Sequence, residues 1–114
     1  MTWDEFCELH IPTPAAIVVE AYAGSGGLGT LYAAPVTVTP CVIEDTRRLV
    51  RVQTQDAAGA EQLSSTTVWA PLATTAPPDS RVTLPDGRVT RVLAASRVTA
   101  AGHDLPEHLE LNLE

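Results

Sequence analysis

The sequence has no lysine, one phenylalanine and two cysteines among its 114 residues. Each scarcity excludes something. Seven arginines carry all the formal positive charge against 14 Asp and Glu, for a net charge of −7. Gripping nucleic acid needs clustered positive charge, so this balance argues against phosphate binding as the main activity. Aromatic residues are 4% of the chain, so a core must be assembled from Val, Leu and Ala. No apolar run approaches the ~18 residues of a spanning helix, which predicts no membrane association. No basic start followed by an apolar stretch is visible, so no secretory leader is expected. Cys7 and Cys41 then read as free thiols in a reducing compartment, with a single disulfide as the alternative.

Helical periodicity is also missing. No segment keeps a 3.6-residue apolar repeat over ten positions, and no internal repeat aligns. What is present is a series of short segments with period two, separated by Gly and Pro. Residues 15–23 read as a strand, 24–30 (GSGGLGT) as a flexible loop, and 35–43 as a β-branched strand with Pro40 at an edge or bulge. Residues 49–55 and 63–70 read as a hairpin around a turn at 57–60. Residues 81–84 and 88–95 flank Pro85-Asp86-Gly87, the best turn signal in the chain. Residues 71–80 and 100–106 are connections. Residues 108–113 (HLELNL) close the chain with Leu109, Leu111 and Leu113 on one face. The pattern predicts an all-β fold: one small β-barrel or sandwich of short antiparallel strands over 15–114, with long loops and an extended N-terminal arm over 1–14.

That arm holds Trp3, Phe6 and Leu9 at a spacing that permits a short helical turn, and Pro12 and Pro14 stop any helix there. Few termini carry such an apolar load without docking, so these three residues are predicted to form an inter-subunit or inter-ring contact. Arg47, Arg48 and Arg51 form the densest basic group. Local pairing with Glu44 and Asp45 is the simpler reading, and contact with an acidic partner or with nucleic acid the functional one. Trp69 reads as core or as an interface anchor.

Patterns that suggest chemistry do not hold up. Gly24 to Gly29 satisfies G-x-G-x-x-G, but a β-branched run follows where a dinucleotide site needs a helix N-terminus. His103, Asp104, Glu107 and His108 cluster without a common zinc spacing. Cys7 and His10 lack an orienting third group, and no serine lies in a nucleophile-elbow pattern. No catalytic residue, cofactor or metal is expected.

Three stretches carry a family likeness. They are Ser64-Ser65-Thr66-Thr67-Val68-Trp69-Ala70-Pro71, then Ser80-Arg81-Val82-Thr83-Leu84-Pro85-Asp86-Gly87-Arg88 leading into Val92-Leu93-Ala94-Ala95-Ser96, and Leu105-Pro106-Glu107-His108-Leu109-Glu110-Leu111 within the ending. Over about residues 45–114 the chain resembles the head-to-tail stopper, or head-completion, proteins of long-tailed bacteriophages. The resemblance implies a non-enzymatic virion protein of the neck, assembled in the host cytoplasm as a homo-oligomeric ring. One side would meet the portal or adaptor ring and the other a tail terminator or tail tube. Packaged double-stranded DNA would be retained at the lumen or pass through it without sequence-specific contacts, as suits an acidic wall. A tail terminator or minor tail component, or a small β-barrel binding module unrelated to phage, are the alternatives.

Overall fold

The computed structural model describes residues 2–27, 29–54, 58–100 and 102–114. The chain begins with helix α1 (Trp3–His10), where the expectation was an extended arm. The reason is local. The Thr2 hydroxyl accepts from the Glu5 backbone N–H at 3.1 Å, and Asp4 and Glu5 sit in the first turn, where the helix dipole favours negative charge. Pro12 ends it, and Ile11 is already extended.

Among the described residues ten strands follow: β1 (Ala15–Glu20), β2 (Tyr22–Gly26), β3 (Gly29–Tyr32), β4 (Val36–Glu44), β5 (Arg48–Arg51), β6 (Glu61–Ser64), β7 (Thr66–Pro71), β8 (Arg81–Thr83), β9 (Val89–Val98) and β10 (His108–Leu113). Six of them close a barrel in the order β1-β4-β7-β10-β9-β8, antiparallel at every pairing. The all-β expectation therefore holds. Leu109, Leu111 and Leu113 point inward, packed with Ile17, Val19, Val68, Val82 and Val92. Each such side chain stabilises the fold by about 1.5–3 kcal/mol before entropy is counted. The β1–β4 register slips between Ala15 and Ile17, opposite Thr39 and Pro40, so Pro40 does occupy an irregularity in the ladder.

The remaining four strands form two hairpins outside the barrel wall, β2–β3 and β5–β6. The radius of gyration, 14.2 Å, exceeds the about 13 Å of a compact chain of this length. The long axis is 46 Å against 27 and 25 Å across.

Two expectations are corrected here. Residues 24–30 are not a plain loop. Gly24, Ser25 and Gly26 pair with Leu31, Thr30 and Gly29, and Gly24 and Gly29 take positive φ, which glycine alone adopts without strain. Leu28 of that stretch lies outside the described residues. The return strand expected over 63–70 is split at Ser65. Its first part pairs with β5, and its second part joins the barrel between β4 and β10. Gln55 and Ala57 of the expected hairpin and turn lie outside the described residues.

Candidate interaction surfaces

Helix α1 lies along the barrel. Trp3 and Cys7, one turn apart, are its buried residues. The Trp3 indole N–H donates to the Pro40 carbonyl at 2.7 Å. The Trp3 ring stacks on Phe6 at 5.6 Å between centroids and meets His108 at 5.2 Å. The three arm residues expected at an inter-subunit contact therefore separate. Trp3 is 7% exposed and spent on its own barrel, because a nearby carbonyl and imidazole give the indole intrachain partners. Phe6 is half-buried, and Leu9 is 69% exposed.

Between α1 and the barrel runs an apolar groove of about 280 Å³, lined by Trp3, Phe6, Ile11, Val42, Trp69, Pro106 and His108. Trp69 faces outward into it, opposite Val42 on β4 and Glu110 on β10. Beneath the helix, the Cys41 thiol is fully buried and donates to the Val38 carbonyl at 3.4 Å. Burial, with the Cys7 thiol nearby, pushes its pKa up to about 12. Burial and the neighbouring Asp4 carboxylate also raise Cys7. Both thiols are free and neither is a ready nucleophile.

The β5–β6 hairpin folds over the outside of the barrel. Its inner side is anchored by Val52 and Thr54, both buried, and by Gln53. The Gln53 N–H donates to the Leu93 carbonyl at 2.8 Å, and its side-chain oxygen accepts from the Ala95 N–H at 3.1 Å. Its outer side pairs Leu49 with Leu63 and Arg51 with Glu61, all exposed. Leu49 is 65% and Leu63 52% exposed, an apolar pair on a face with no core to cover it. The sequence hides this pair, because a turn at 57–60 implies a different cross-strand register from the observed Leu49–Leu63 pairing.

The arginines of the basic group also separate. Arg48 reaches Glu44 and Glu110, each at 3.8 Å. Arg47 and Arg51 are exposed and make no ion pair among the described residues. Elsewhere Arg81, Arg88 and Arg91 are engaged in ion pairs. Arg88 bridges Asp45 and Asp86 and holds both carboxyls below the usual range, Asp45 through its side-chain hydrogen bond and Asp86 first through its backbone N–H and then its side chain.

The second hairpin, β2–β3, is fastened at its base. Arg81 makes a forked contact with Glu20 at 3.0 and 2.8 Å and lies 4.4 Å over the Tyr32 ring. The Ser80 hydroxyl accepts from the Tyr22 N–H at 2.9 Å. The Gly-rich motif sits at the hairpin's far end, with strands on both sides and no helix to present N–H groups to a pyrophosphate. His108 is engaged with Trp3, and its Nδ1 lies 3.1 Å from the Pro106 carbonyl. The described residues bring no three His, Cys, Asp or Glu side chains together in a metal-binding group. Among the described residues, no helix is long and apolar enough to cross a membrane.

No family model matches the chain, no curated protein is significantly similar to it, and no solved structure matches its fold at significance.

Proposed function

We propose that the chain is a structural subunit of a phage neck, a head-to-tail stopper that assembles as a ring, retains packaged DNA and docks the tail. The observation that carries this reading is the architecture of its exterior. A small closed barrel needs neither outer hairpin to complete its core, yet it displays Leu31 on one and Leu49 and Leu63 on the other. Such ribbons gain their stability from neighbours, as subunits of an assembly do. The net charge of −7 supports a wall along which DNA moves without adhering. The sequence likeness over about 45–114 falls on β5 to β10, most of which is barrel wall.

The test is genetic and structural. Particles made without this chain should be DNA-filled or leaking heads beside free tails. A cryo-electron map of the intact neck should hold a ring of this barrel between the adaptor and the terminator. Normal particle yield without the chain overturns the reading.

One feature favours a second reading, a small β-barrel binding module. The groove lined by Trp3, Phe6 and Trp69 concentrates most of the large aromatic surface in a chain that has little. A monomer that binds an apolar ligand there, with loss of binding in Trp69→Ala, would favour it.

A further inference from the structure

Two exposed patches of opposite character occur on different elements. On the β5–β6 hairpin, the Leu49–Leu63 pair and the Arg51–Glu61 pair share the outward face, by strand alternation, and Arg47 stands one residue before β5. On α1, the side away from Trp3 and Cys7 carries Asp4, Glu5, Glu8 and Leu9, all exposed. Among the described residues, no arginine pairs with Asp4, Glu5 or Glu8, just as no carboxylate pairs with Arg47 or Arg51. The first patch is leucine flanked by Arg47, Arg51 and the cross-strand Glu61, two arginines to one carboxylate with no ion pair among them. The second is leucine flanked by three carboxylates.

We infer that the β5–β6 face of one copy docks on the outer face of α1 of a second copy, leucine against leucine and Arg47 and Arg51 against Glu5 and Glu8. The sign of the charges also narrows the symmetry. Hairpin on hairpin sets arginine against arginine, and helix on helix sets carboxylate against carboxylate, so both like-on-like pairings are disfavoured. A hairpin-on-helix contact either closes reciprocally as a two-fold dimer or runs head-to-tail until a ring closes, and the ring reading above selects the second. This inference rests on the ring reading above and names the surfaces that would build it.

A charge-swap cycle on the full-length chain, read by native mass and sedimentation, tests it. The wild type should form a closed oligomer. R47E/R51E alters exposed side chains only; E5R/E8R also takes a carboxylate from the first turn of α1, a modest loss that the buried Trp3 and Cys7 contacts outweigh, so both should keep the wild-type circular dichroism spectrum. Each should weaken assembly by ~10-fold or more, because a matched pair becomes a like-charge one. The fourfold variant should assemble to within ~3-fold of wild type, and so should an equimolar mixture of the two double variants, since each then offers its partner an opposite charge. An oligomer that neither double variant weakens overturns this contact and leaves the ring standing. So does loss of assembly that the fourfold variant fails to restore. A wild type that stays monomeric at the highest attainable concentration overturns both the contact and self-assembly into a ring.

Discussion

The Trp3 indole N–H reaches the Pro40 carbonyl at 2.7 Å, tying helix α1 to barrel strand β4 across 37 positions of sequence. The helix is thereby part of the subunit's own fold. Trp3→Ala should cost about 3 kcal/mol or more, as loss of a buried aromatic does. Trp3→Phe keeps most of the area and loses the hydrogen bond, for about 1–2 kcal/mol. Urea denaturation measures both. Removal of residues 1–11 should likewise lower the stability of the barrel, and an unchanged midpoint would show that α1 docks without supporting it.

The closing strand gives a paired test. Leu111 is fully buried, while its neighbour Glu110 faces outward toward Arg48. Leu111→Asp buries an unpaired charge and should abolish folding, a loss of more than about 4 kcal/mol. Glu110→Ala removes a long surface ion pair and should cost no more than about 1 kcal/mol. Thermal melts of the two variants, side by side, check the alternation.

Alkaline pH should destabilise the protein through Cys41. Its thiol titrates at about 12 when folded, against 9.0 for an ordinary thiol. Between those values the unfolded chain has released the proton and the folded chain has kept it. Stability is therefore whole below pH 9 and falls as pH rises toward 12, by about 1.4 kcal/mol per pH unit for one such group. Cys41→Ala should be less stable than wild type at pH 7 and should lose less on the alkaline limb. Native protein should also resist alkylation at Cys41 at pH 8, as peptide mass mapping would read.

Arg81, held in the wall by its forked contact with Glu20 on β1, reaches the β2–β3 hairpin over the face of Tyr32. Arg81→Ala should change global stability by no more than about 1 kcal/mol, since the pair is partly exposed. Amide exchange in the paired positions of residues 22–32 should nevertheless quicken severalfold, while β9 and β10 keep their protection. Arg81→Lys should restore little of this, because a point charge cannot replace the forked contact.

The barrel was legible wherever one face of a strand is buried. Leu109, Leu111 and Leu113 alternate in the sequence as they do in the wall, and the Asp86-Gly87 turn links β8 to β9 as expected, with Gly87 at positive φ. Legibility failed where pairing owes little to side chains. Gly24, Ser25 and Gly26 have no β propensity to read, yet they pair because the chain must leave β1 and return to β4. Val36 and Val38 looked equivalent, but Val36 pairs with Val19 where the β1–β4 ladder ends and is 58% exposed. The helix was legible only as a short turn at the Trp3, Phe6 and Leu9 spacing, since its eight residues show two buried positions. Of the candidate contacts, the arginines and Leu9 were visible as residue types. The Leu49–Leu63 pair was not, because cross-strand neighbours depend on where a turn falls, and no strong turn signal marks that one.

β1 and β4 pair directly, although the β2–β3 hairpin stands between them in sequence. The barrel therefore closes without reference to how long that ribbon is. Adding two residues to each of its strands would preserve which side chains point to which face and carry the tip outward by about 7 Å. Its reach is thus a dimension that mutation can adjust in fixed steps, independently of the wall that bears it.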